Sequence, residues 1–190
     1  MTREEVYVAL LRGINVGGNK IVLMDDLKRL FEKLKFTEVR TYIQSGNVVF
    51  VSKKAEPSEL AKAIKDGIKH EFKFDVEVVV LELSELKKMI ARNPFDDEKL
   101  KAGGRVYLTL LLRIPLREKI AEFYEMKNGA IKKTNPADDF EIIEGTVYVL
   151  CRNGWSKSPF NSSVTEKILK VETTSRNIET MQKLVEIGKA

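Results

Sequence analysis

The chain has 190 residues, 43% of them hydrophobic and 32% charged, and its 33 Lys and Arg against 28 Asp and Glu leave a net charge of +5. These values describe an ordinary soluble chain of one domain or two small ones, long enough to bury roughly 70% of its unfolded surface without a staple. One cysteine and one histidine exclude an internal disulfide and a zinc site of the usual ligands, and no apolar run approaches the ~18 residues of a membrane helix.

Val6–Arg12 predicts a first strand, apolar on both faces as a central strand is. The glycine-rich stretch Arg12–Lys20 follows it. Leu23, Leu27, Leu30, Phe31 and Leu34 then mark one face of a helix, with Asp25 and Asp26 near its positive end. Val39–Ile43 alternates as a second strand, Gln44-Ser45-Gly46-Asn47 makes a tight turn, and Val48–Val51 returns. Leu60, Ile64 and Ile68 define a helix opened by Pro57, and Val76–Leu83 closes the set. The order β-α-β-β-α-β is the ferredoxin-like pattern. A short helix with Leu86, Met89 and Ile90 follows, capped by Ser84, and Glu98–Gly104 reads as a linker.

The pattern then restarts. Val6-Tyr7-Val8-Ala9-Leu10-Leu11 has a counterpart in Val106-Tyr107-Leu108-Thr109-Leu110-Leu111. Pro115 opens a helix carrying Leu116, Ile120, Phe123 and Tyr124, which Gly129 ends. Phe140–Glu144 and Thr146–Cys151 make a hairpin around Gly145. Ser163 and Glu166 form a capping box for the next helix. No closing strand shows in the pattern; Thr173–Asn177 reads as a connection into a last helix that starts at about Ser175 and carries Ile178, Met181, Leu184 and Val185. The reading is an α+β protein of two ferredoxin-like (βαββαβ-type) subdomains, residues 1–97 and 98–190, the second irregular and carrying the C-terminal helix.

In a ferredoxin-like half, the end of the first strand and the turn between the second and third lie at one sheet edge. That places Arg12, Gly13, Asn15, Gly17 and Gly18 near Gln44, Ser45 and Asn47. In the second half, Thr174, Arg176 and Asn177 fall where a helix N-terminus offers free N–H groups to an oxyanion. Together these residues predict a cleft between the two subdomains for a small anionic ligand, a phosphate- or carboxylate-bearing metabolite or nucleotide, with Arg12 and Arg176 supplying charge.

Other chemistry is disfavoured. Gly13–Lys20 imitates a P-loop, but lysine does not follow the last glycine directly and Ile21 offers no hydroxyl to magnesium. No G-x-G-x-x-G is present, and no cofactor is legible. His70 reads as a helix-end residue and Cys151 as a buried small hydrophobe. Asp96-Asp97 and Asp138-Asp139 read as loop and cap residues, and Lys132-Lys133 as solubilising surface. Nucleic-acid binding is the first alternative, although no RNP-type aromatic motif is present. A protein-interaction module is the other. The single cysteine and the N-terminus, which does not read as a signal peptide, predict a cytoplasmic setting without membrane contact.

The segments YVALLRGINVGG (Tyr7–Gly18), TYIQSGNVVF (Thr41–Phe50), NPF (Asn93–Phe95), EKIL (Glu166–Leu169) and TSRN (Thr174–Asn177) closely resemble the bacterial family called domain of unknown function 1697. The resemblance implies two α+β subdomains similar to ferredoxin-like units, and no activity. It puts weight on Arg12, Gly13, Asn15, Gly17, Gln44, Ser45, Gly46 and Asn47, and on Thr174, Arg176 and Asn177. Where the family often carries tryptophan after the R-N pair, this chain has Ile178.

Overall fold

A computed structural model describes residues 3–95, 104–131 and 138–190. The proposed linker residues 98–103, the pair Asp96-Asp97 and the pair Lys132-Lys133 lie outside the described residues. The chain divides into two compact units, Met1–Met89 with Met181–Ala190, and Ile90–Thr180.

The first unit runs β1 (Glu4–Leu11), α1 (Met24–Lys33), β2 (Thr37–Tyr42), β3 (Asn47–Lys53), α2 (Pro57–Phe72), β4 (Val78–Glu82) and α3 (Leu83–Ala91). Its sheet has the order β2-β3-β1-β4, with every neighbouring pair antiparallel. The continuous apolar run of β1 forms the centre, and Tyr7 to Leu11 are fully buried. Leu27, Leu30 and Phe31 of α1 and Leu60, Ile64 and Ile68 of α2 cover one face together with Tyr7, Ala9 and Leu11; burying each such side chain contributes about 1.5–3 kcal/mol. Phe50 is the hub, its ring 4.5 Å from Phe36, 5.4 Å from Phe31 and 5.7 Å from Tyr7.

Tyr7 also works as a clamp. Its hydroxyl donates to Ala55 O at 3.0 Å and accepts from Ala55 N at 3.1 Å, tying the β3–α2 connection to the central strand. Tyr7→Phe keeps the ring but strands both Ala55 groups, so a loss of about 2 kcal/mol is expected in urea unfolding. A loss below about 0.5 kcal/mol, the size of an ordinary surface substitution, rules the clamp out.

The second unit repeats the plan: β5 (Arg105–Leu111), α4 (Arg117–Ile131), β6 (Asp139–Ile143), β7 (Thr146–Cys151), α5 (Ser162–Leu169) and β8 (Thr173–Asn177), with sheet order β6-β7-β5-β8. The closing strand that the hydrophobic pattern hides is therefore present: β8 pairs antiparallel with β5 from Thr173 opposite Leu111 to Asn177 opposite Tyr107. Duplication extends to single hydrogen bonds. Leu11 N donates to Gly46 O and Leu111 N to Gly145 O; Arg12 N donates to Glu77 O and Leu112 N to Glu172 O. Lys73 and Lys170, both left-handed, end α2 and α5 alike.

Several local expectations change. α4 runs past Gly129 to Ile131. α5 is capped by Asn161, whose side chain accepts from Val164 N at 3.1 Å. Glu166 leaves the expected capping box and instead accepts from the backbone and the hydroxyl of Thr173 at 2.8 and 3.1 Å, holding the start of β8. Asp138 is a loop residue just before β6, as expected, but a buried one that accepts from Arg152 N at 2.8 Å. The last helix, α6 (Ile178–Ile187), begins three residues later than expected, and its final residues belong with the first unit: the Arg40 guanidinium donates to Ile187 O at 2.8 Å, and Gly188 lies against Leu83. Ile178, in place of the tryptophan, is buried. No helix among the described residues is long and apolar enough to cross a membrane.

Candidate functional site

The end of β1 and the β2–β3 turn meet at one edge of the first sheet, and Asn15 joins them. Its side-chain amide donates to Gln44 O and to Val22 O, both at 2.9 Å, and its carbonyl oxygen accepts from Val22 N at 2.8 Å. Three bonds leave Asn15 little for a ligand; it is a staple rather than a contact residue. Asn47 is fully buried and donates to Tyr42 O and Ser45 Oγ, closing the turn.

The glycines divide similarly. Gly17 and Gly18 are the central residues of a tight turn, with φ +59° and +76°, closed by Asn19 N donating to Val16 O at 3.1 Å. These are the φ signs of a type I′ turn, which glycine adopts without penalty. The turn projects outward, and a side chain at Gly13, Gly17 or Gly18 meets open space. Gly46 faces inward instead: a Cβ there lies 2.7 Å from Leu11 Cβ. Lys20 donates to Asp75 O at 2.6 Å and anchors the far side of the loop. Gln44 is exposed and Ser45 and Arg12 are partly so.

The second unit's residues stand elsewhere in their element than expected. Thr174 and Arg176 lie on β8, opposite Leu110 and Leu108, and not at a helix N-terminus. Asn177 is the cap of α6, its side chain accepting from Thr180 N at 2.7 Å, so that helix start is already served by its own chain. The Arg176 guanidinium donates to Ser175 O at 2.9 Å and Thr174 Oγ1 at 3.3 Å. Burial pushes it down to about 10, which leaves it charged at neutral pH. Burial likewise pushes the Cys151 thiol up, against a reactive thiolate. Among the described residues no three His, Cys, Asp or Glu side chains gather to hold a metal ion.

Sequence reasoning missed a repeated feature. Ile21 and Leu23 flank buried Val22, and Ile114 and Leu116 flank buried Pro115, each pair at the entry to its unit's first helix. The carbonyls of Leu23 and Leu116 accept the opening helical bonds while their side chains face solvent. The helical period had assigned both leucines to the core; the signal was the Ile-x-Leu spacing before each helix.

The comparisons agree with this architecture. The conserved bacterial protein SP0830 from Streptococcus pneumoniae has a similar structure, with a TM-score of 0.74 over 98% of this chain and 99% of that one at 18% identity, which speaks to the fold alone. No curated protein matches the chain. A family model described as protein of unknown function (DUF1697) matches residues 4–148. With that match spanning most of its length, the chain belongs to the DUF1697 family.

Proposed function

We propose that this is a cytoplasmic ligand-binding protein whose first unit holds a small phosphate- or carboxylate-bearing molecule at the edge built from Arg12–Lys20 and Gln44–Asn47. Arg12 supplies charge, the backbone of Gly13, Gly17 and Gly18 allows close approach, and Gln44 and Ser45 orient the ligand. The single observation that carries the reading is the Asn15 staple, which holds loop and turn as one preorganised surface. Thr174, Arg176 and Asn177 belong to the strand and cap of the second unit and are not needed for this version of the site.

A thermal-shift panel of nucleotides and phosphorylated or carboxylated metabolites tests it. A ligand at 100 times its dissociation constant stabilises by about 2.7 kcal/mol, which is about 5–10 °C for a chain of this size. Arg12→Ala is expected to abolish the shift; equal shifts in both proteins remove Arg12 from the site and the reading with it.

A second reading, a protein-interaction module, is favoured by the duplicated apolar pair. Ile21 and Leu23 are 68% and 67% exposed, and Ile114 and Leu116 are 94% and 65% exposed, with Val16 and Ile43 adding to the first unit's edge. Exposed apolar groups in contiguity mark docking surfaces. A panel that shifts neither wild type nor variant leaves this reading standing.

A further inference from the structure

The second unit holds a hollow that the first unit's site does not use. On β5, Arg105 and Tyr107 are two residues apart and share a face, and Cys151 of β7 lies directly opposite Arg105. Past the end of β7 the chain turns at Gly154, and Trp155 comes back over Tyr107 with ring centroids 4.2 Å apart and planes at 18°. Arg152 completes a cavity of about 220 Å³ lined by these six residues. Two arginines and the stacked Trp155 are among its lining residues, and none of the six is acidic. Among the described acids, buried Asp138 accepts from Arg152 N, and its charge is felt at Cys151, as that of exposed Glu179 is at Tyr107.

We propose that this hollow is a binding site for a small one-ring aromatic anion, its ring against Trp155 and its phosphate or carboxylate between Arg105 and Arg152. Size sets the class. A cavity of about 150 Å³ accepts benzene, and sites for larger ligands start at about 300 Å³, so there is room for one ring with one anionic substituent and not for a dinucleotide. Chemistry sets the rest. Guanidinium forks match phosphate and carboxylate oxygens in pairs, and a flat ring gains from offset stacking on an aromatic that a neighbour already holds in place. Tyr107 is that neighbour: burial pushes its phenol up, so it stays neutral and adds no charge against an anion.

Trp155 is the only tryptophan of the chain, so its emission reports from this hollow alone. The test titrates the full-length protein with phenyl phosphate to about 10 mM, a range that captures weak millimolar binding. Inorganic phosphate and phenol run as the charge-only and ring-only arms, and line broadening of the phenyl phosphate proton signals is a second readout. The expected result is a saturable change in Trp155 emission with phenyl phosphate, weaker with either half alone. Arg105→Ala, a change at an exposed position, is expected to weaken binding at least about tenfold, as loss of a charge-assisted bond does. No saturable change by either readout overturns the proposal. So does unchanged affinity in Arg105→Ala at wild-type melting temperature, or an equal response to phosphate alone.

Discussion

Gly46→Ala is expected to lower stability by about 3 kcal/mol, the sum of a left-handed residue gaining a Cβ and of an overpacked contact. Gly46 has φ +74°, and a Cβ added there stands 2.7 Å from Leu11 Cβ and 2.9 Å from Ile14 Cδ1. Leu11 Cβ is the root of a side chain on the central strand, so it cannot swing aside. The strand itself must move, and with it the bond from Leu11 N to Gly46 O at 2.8 Å that joins β1 to the turn. Gly145→Ala is the control. Its position is equivalent, with φ +77°, but no atom stands within 4 Å of the added Cβ, so only the backbone strain remains, about 1–2 kcal/mol. Thermal unfolding followed by circular dichroism separates the two: a fall of about 6–12 °C is expected for Gly46→Ala. Equal falls for both variants sink the close-approach argument. If the first unit's edge binds the proposed anion, Gly46→Ala also loses it.

The second large effect concerns Phe140. It is fully buried on β6, its ring 4.3 Å from Phe123, 4.8 Å from Phe160 and 5.1 Å from Tyr124. Lys127 lies over the same ring at 5.2 Å, donates to Phe140 O at 2.7 Å and pairs with Asp139 and Glu141. Burial alone lowers Lys127, but its hydrogen bonds to those two carboxylates raise it above the ordinary lysine value, so it stays charged through neutral pH. Phe140→Ala removes the ring on which α4, Phe160 and the cation all converge. The expected loss is about 3–5 kcal/mol, read as an earlier urea midpoint in Trp155 emission, because that side chain packs on the same cluster. A loss below about 1.5 kcal/mol, the range of a volume-conserving swap, shows that the cluster collapses to fill the void.

Most strands and helices were legible because their signals are local. The continuous apolar run of β1, the period of Leu27, Leu30 and Phe31, and the glycine turns each need only a few neighbouring residues to act. β8 was not legible. Thr173–Asn177 has no apolar alternation, and its place in the sheet depends on partners far along the chain. Thr109 Oγ1 and Ser175 Oγ lie 2.7 Å apart, Ser175 Oγ and Ser162 Oγ another 2.7 Å, and Glu166 holds Thr173. Hydroxyls satisfied in this way are buried cheaply, which a hydrophobic count does not register.

The candidate site divides along the same line. By itself the sequence determined that a glycine-rich loop and a polar turn meet at one sheet edge, because βαββαβ topology brings those segments together wherever they are apolar on either side. Only the tertiary structure decided what each polar group does there. Asn15 and Asn47 turned inward to backbone partners, Asn177 became a helix cap, and Leu23 and Leu116 turned outward. The reason is one of range. Secondary structure follows from residues within a turn or two of each other, whereas the direction of a polar side chain follows from which unsatisfied backbone groups stand near it in space, and for Asn15 these include Gln44 O, 29 residues away.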